Sequence, residues 1–265
     1  MSGFAAAAPT RAATRPEDAA TSLATPLRLV AFAALALFAT AHWMALVDSP
    51  PVGRMLLVVL VATATGATLA ALGSEVVRYR VPRAAIVAAA VLAGMLGLAL
   101  ALGAAGLPLR LLEPRHWDEF YDVVDRGLAV AGTTDWPYEG SDAWVRLTVL
   151  LGAPLFVGVA ALLAFFPTRR AAPLLRFLGL VALLGAYGTA VVDHDPGEPL
   201  LRGMALLILV GAWLWLPRLR PREALAGATL VLALGALSLP VAAALDASGP
   251  GSTTARGTGS GAASR

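Results

Sequence analysis

The stretch Pro108–Arg146, PLRLLEPRHWDEFYDVVDRGLAVAGTTDWPYEGSDAWVR, decides how this chain is read. It is the longest polar segment between apolar runs. It holds eight of the seventeen acids: Glu113, Asp118, Glu119, Asp122, Asp125, Asp135, Glu139 and Asp142. The flanking runs are long enough to cross a bilayer, so the stretch reads as one structured loop of a polytopic membrane protein.

Composition supports that reading. Hydrophobic residues make up 58% of the 265 and charged residues 14%, and the mean hydropathy is +0.75. A soluble surface needs roughly 25% charged residues. There is no cysteine, which excludes disulfides, thiolate nucleophiles and Cys-based metal sites. All twenty basic residues are Arg. The lack of Lys removes a P-loop lysine, a Schiff-base lysine and a Ser-Lys dyad. The net charge of +3 gives no case for nucleic acid.

Working outward from the loop, three apolar runs precede it: Leu27–Val47, Met55–Gly73 and Ala84–Leu107. Four follow: Trp144–Phe166, Leu174–Val192, Leu200–Leu216 and Ala224–Leu245. The expected fold is all-α, a polytopic transmembrane helix bundle of about seven spans with one amphipathic external helix. The bundle occupies 27–245, including an external loop at 108–143. Residues 1–26 are expected to be a disordered cytoplasmic tail and 246–265 a flexible external tail. Small residues at Ala62, Gly66 and Ala70, and at Ala93, Gly97, Ala101 and Ala105, make smooth faces for close helix contact.

Arginine sets the orientation. With the N-terminus inside, the inner segments hold twelve Arg (11, 15, 28, 78, 80, 83, 169, 170, 176, 218, 220 and 222) and four acids. The outer segments hold eight Arg and thirteen acids. Short cytoplasmic loops carry the basic excess, so the N-terminus is expected to be cytoplasmic and the C-terminus extracytoplasmic. Trp43, Trp117, Trp136 and Trp144 then fall near the outer interface, and Trp213 and Trp215 near the inner one, as an aromatic belt does.

Within the loop, Trp117, Phe120, Tyr121, Val124 and Leu128 recur at helical spacing, opposite Asp118, Glu119, Asp122, Asp125 and Arg126. Pro114 lies near the start and Gly132 just past the end. The spacing predicts an amphipathic helix of about four turns, packed on protein because its polar face is acidic. Trp136-Pro137-Tyr138-Glu139-Gly140 reads as an aromatic turn. The candidate external interaction surface is Trp117, Phe120, Tyr121, Pro137, Tyr138, Gly140, Trp144 and Arg146.

Other chemistries leave weaker traces. Glu119 and Asp122 share a helix face, but an acid–base pair needs a desolvated acid, and a solvated face explains them more simply. His42, His116 and His194 all map to the outer side, with Asp193 and Asp195 beside His194, which makes a mixed N/O metal site conceivable. No spacing puts two of these histidines on one helix face, so ordinary interfacial histidines are the simpler account. The span centres carry no ionisable residue, unlike coupled carriers. Thr63, Thr65, Thr68 and Thr189 are the main mid-span polar groups, and threonines usually bond their own helix backbone. A small-solute transporter or channel and an outer-face metalloenzyme stand as alternatives.

The pattern Arg115-His116-Trp117-Asp118-Glu119, Gly127-Leu128, Pro137-Tyr138-x-Gly140 and Trp144-x-Arg146 resembles the N-terminal membrane domain of the bacterial TgpA-like transglutaminases, especially the actinobacterial ones. The likeness runs from about Leu27 to Leu245, with the loop its most specific part. The resemblance implies a helix bundle in a bacterial plasma membrane that anchors an external enzyme with a Cys-His-Asp triad. This chain has no Cys and reaches no such module, so no triad residue is assigned. The expectation is a non-enzymatic scaffold or anchor without a cofactor. Its partners would be the lipid bilayer and a separately encoded external enzyme or membrane protein, with no nucleic acid.

Overall fold

The computed structural model describes residues 16–74, 77, 80–131, 133, 136–168, 170–192, 199–219 and 221–247. Among the described residues, 85% are helical and none forms a strand, and eight α-helices carry the fold. They are α1 (Pro16–Met44), α2 (Val52–Leu72), α3 (Arg83–Ala105), α4 (Trp117–Ala131), α5 (Ala143–Phe165), α6 (Ala172–Val192), α7 (Pro199–Trp215) and α8 (Pro221–Ala247).

Six of these are long and apolar enough to cross a membrane: Ala24–Met44, Val52–Leu72, Arg83–Ala105, Ala143–Phe165, Ala172–Val192 and Pro199–Arg218. This is an integral membrane protein. A helix is the form such segments must take, because lipid offers backbone N–H and C=O groups no partner. The expected seventh span, Ala224–Leu245, lies inside α8, whose described apolar part runs Glu223–Leu237. The first helix starts earlier than expected, at Pro16 rather than Leu27. Pro16-Glu17-Asp18 is a start signal, with proline and two acids in the first turn. Residues 1–15 and 248–265, where most of the two expected tails lie, fall outside the described residues.

The bundle is built around α1 and α5. In each, 56% of the span is buried, against 11% in α7. α8, α2, α6 and α7 pack on α1, and α6, α2, α3 and α4 pack on α5. Composition explains the two centres. The buried residues of α1 include Ala31, Ala34, Ala36, Ala39 and Ala41, and those of α5 include Ala153, Gly158, Ala160, Ala161 and Ala164. Small side chains let neighbouring backbones approach on several sides at once.

The small faces expected on α2 and α3 are packing faces. Ala62 and Gly66 of α2 are buried, as are Gly97, Ala101 and Ala105 of α3. A Cβ at Gly97 would lie 2.1 Å from Thr65 Oγ1 of α2, and one at Gly66 would lie 2.8 Å from the Phe165 ring of α5. The opposite faces of α2 and α3 expose Leu60, Leu92, Met95 and Leu96, and α7 exposes Leu200 and Leu207, which is the surface the bilayer covers. The alternating helices leave two ends. One carries the α1–α2 turn and the 106–142 segment, and is called the acidic end below. The other carries Arg28, Arg170, Arg176 and Arg218, and is called the Arg-rich end.

Candidate functional site

The acidic end is a folded cap in which three chain segments meet. The α1–α2 turn runs beside the Trp136–Tyr138 turn as a single parallel bridge, Val47 with Tyr138. Tyr138 N–H donates to Leu46 O at 2.9 Å, and Asp48 N–H donates to Tyr138 O at 3.2 Å. Arg146, one turn into α5, donates through Nη2 to the carbonyls of Asp48 and Ser49. Ser49 has φ +51°, a left-handed conformation that turns the chain toward α2. Asp142 caps α5 by accepting from Trp144 N–H at 2.8 Å and Val145 N–H at 3.4 Å.

Packing fixes the same cap from inside. Tyr138 is buried, and its ring lies over Gly140, where a Cβ would come within 2.3 Å of the phenol oxygen. Trp43 is also buried. Its Nε1 donates to Val149 O at 2.8 Å, and its ring crosses Gly152 so closely that a Cβ there would lie 2.0 Å away. This corrects the belt reading of Trp43. An indole near a span end is interfacial only if its neighbours are lipid, and here a glycine on α5 opens a slot for it. α3 ends in a left-handed Gly106 (φ +112°), with Leu107 N–H closing on Leu102 O at 3.1 Å.

The amphipathic helix forms as α4, Trp117–Ala131. Its apolar residues divide between two faces. Phe120, Val123 and Gly127 face the bundle. A Cβ on Gly127 would lie 2.2 Å from Thr148 Oγ1, so this glycine sets how close α4 sits to α5. Trp117, Tyr121 and Leu128 are 60%, 69% and 61% exposed. On the 3.6-residue wheel they form a stripe between the packed face and the acids Asp118, Asp122 and Asp125. Trp117 Nε1 donates to Leu112 O at 3.3 Å, which ties the helix start to the preceding 3-10 turn. Glu119 pairs with Arg110 at 3.3 Å and with His116 at 3.7 Å, all at the surface.

The candidate surface residues therefore occupy two settings. Tyr138, Gly140 and Arg146 come together in the turn that locks α1–α2 to α5, with Trp144 half-buried against the same apolar cluster and Pro137 half-buried beside it. Trp117 and Tyr121 are presented outward by α4, and Phe120 is the anchor beneath them. Sequence reasoning missed Trp43, Asp48 and Gly127 as cap-forming residues. The glycine within a strongly amphipathic helix was the one available signal, since it marks close approach.

The histidines take separate roles. His42 packs between Phe38 and Tyr187, with ring centroids at 4.4 and 4.9 Å, and its Nδ1 bonds Phe38 O at 2.8 Å. His116 faces Glu119. His194, Asp193 and Asp195 lie outside the described residues. Among the described residues no three His, Cys, Asp or Glu side chains form a group able to hold a metal. The mid-span threonines bond their own helices: Thr63 to Val59 O, Thr65 to Val61 O, Thr68 to Ala64 O and Thr189 to Gly185 O, at 2.8 to 3.0 Å. No family model, curated protein or solved structure matches this chain.

Proposed function

We propose that this chain is a non-catalytic membrane scaffold or anchor of a bacterial plasma membrane, with the N-terminus cytoplasmic and α4 displayed on the external side. The observation that carries the reading is the construction of the acidic end. Hydrogen bonds from Arg146, Tyr138 and Asp48 and the buried Trp43 hold the cap to three helices, while α4 keeps Trp117, Tyr121 and Leu128 exposed beside its acids. Rigid aromatic residues on a fixed element are what recognition surfaces use as anchors. The acids Asp118, Asp122 and Asp125 favour a protein partner with basic residues around an apolar pocket. The resemblance of Arg115–Glu119 and Trp144–Arg146 to the TgpA-like membrane domain supports an external enzyme as that partner. The Arg distribution supports the orientation.

The alternative of a solute path gains nothing from the second span. The hydroxyls that would line it already bond their own backbone.

The test is capture from membranes by the full chain, compared with a Trp117→Ala/Tyr121→Ala variant that keeps its thermal unfolding midpoint. Loss of one specific partner is expected, with the partner retained by Asp142→Asn, a change at the cap. A partner set unchanged by the double substitution overturns the reading. So does flux of small solutes through the purified protein in sealed vesicles.

A further inference from the structure

The Arg-rich end is built differently from the cap. α1, α2, α5 and α6 enclose a half-open cavity of about 130 Å³ there, lined by Thr25, Arg28, Gly73, Phe165, Thr168 and Arg176 among others. Thr25 and Arg28 are three residues apart on α1 and so share a helix face. Thr168 lies in the α5–α6 turn, and Arg176 is in the second turn of α6. Both guanidinium-bearing residues are half-buried. Arg28 also feels the like charges of Arg176 and Arg218. No described carboxylate pairs with any of the three.

This arrangement needs an explanation. Like charges held together in a partly dry site repel, and removing a charge from water costs free energy unless a counter-charge replaces the lost solvation. An isolated arginine near a span end usually snorkels to the interface alone. Here two arginines from helices 148 residues apart in sequence turn into one cavity, with two hydroxyls beside them. Guanidinium groups present planar pairs of donors that fit an oxyanion, and threonine hydroxyls add neutral donors. At ~30 Å³ per water, the cavity holds the equivalent of roughly four waters, enough for one tetrahedral oxyanion. The site lies between membrane-spanning helices, where basic pockets take lipid head groups.

We propose that Arg28, Arg176, Thr25 and Thr168 form a binding site for a phosphate-type oxyanion. Two sources share this chemistry: the head group of an anionic membrane lipid and free inorganic phosphate. The site is independent of the scaffold reading, because it lies at the opposite end of the bundle from α4.

The experiment uses the purified full chain in a neutral detergent. Its thermal unfolding is followed against short-chain phosphatidylglycerol, short-chain phosphatidylcholine of the same acyl length, and inorganic phosphate. A saturable rise in midpoint with phosphatidylglycerol and none with phosphatidylcholine is expected. A rise with lipid alone identifies the head group as the ligand, and a comparable rise with inorganic phosphate identifies the free ion. Arg28→Gln and Arg176→Gln should each weaken binding by about tenfold or more, as loss of a charged hydrogen bond does. Arg83→Gln, an exposed arginine outside the cavity, should leave binding unchanged.

Folding of the variants supplies a second readout. Without anion, Arg176→Gln should unfold at the same or a higher temperature than the parent, because a repulsion is removed. Equal shifts with phosphatidylcholine, or unchanged phosphatidylglycerol binding by Arg28→Gln/Arg176→Gln, overturn the proposal. A lower midpoint of Arg176→Gln in anion-free buffer also overturns it, since that would make Arg176 a structural group.

Discussion

The two ends of this bundle handle arginine in opposite ways. At the acidic end, Arg146 lies against the carbonyls of Asp48 and Ser49, and Arg110 lies against Glu119. At the Arg-rich end, Arg28 and Arg176 face one cavity with no described carboxylate beside them. The same residue type thus closes structure at one end and leaves donors open at the other. The difference lies in what the chain brings nearby. The acidic end receives two long-range turns whose carbonyls need donors. The Arg-rich end receives short turns that satisfy themselves, as in Thr168 N–H to Phe166 O at 2.7 Å.

If the acidic end is the rigid one, substitutions there should cost the most. Trp43→Ala should have the largest effect, about 3–5 kcal/mol, because it empties a buried slot and leaves Val149 O without its indole donor. Reversible unfolding in mixed micelles measures this. A loss under about 1 kcal/mol would put Trp43 back at the interface, where indoles are readily replaced. Gly127→Ala comes next, at about 1–3 kcal/mol, because the new methyl overlaps Thr148. Hydrogen exchange should show α4 loosening while α1 and α5 stay protected. Arg146→Met should cost about 1–2 kcal/mol and speed amide exchange at Asp48 and Tyr138. Uniform exchange across the bundle in that variant would mean the turn is not a local lock.

Where six of the seven expected spans lie was legible from apolar run length alone, since backbone satisfaction in lipid forces long apolar runs into helices. The faces through which α2 and α3 pack were legible too. Glycine and alanine at four-residue spacing have few uses in lipid other than contact, and Gly66 and Gly97 meet Phe165 and Thr65. The existence of α4 followed from its amphipathic spacing. Its division into a packed stripe and an exposed stripe did not, because Phe120 and Tyr121 are adjacent aromatic residues on the same apolar side of the wheel and the position of α5 separates them. Trp43 was misleading because it sits at a span end, where local rules assign an indole to the interface, yet it donates to Val149 O, more than a hundred positions away. Local sequence holds no trace of such a pairing.

The smallest effect sharpens the account of how α4 is seated. Thr148 Oγ1 is buried and has no hydrogen-bond partner, yet it lies directly beneath Gly127. Leaving a hydroxyl unsatisfied costs free energy that an isosteric methyl does not, so Thr148→Val should be neutral or stabilising by up to about 1 kcal/mol. Thr148→Ala should do something different in combination. It removes the group that a Cβ on residue 127 would strike, so the pair Gly127→Ala/Thr148→Ala should be less destabilised than the sum of the two single changes, with a coupling of about 0.5–2 kcal/mol. Strict additivity would mean that α4 is held by Phe120 and Val123 alone and that the glycine notch has no energetic part in its seat. A destabilised Thr148→Val would instead mean that the hydroxyl has a partner, with a bound water between α4 and α5 the first candidate.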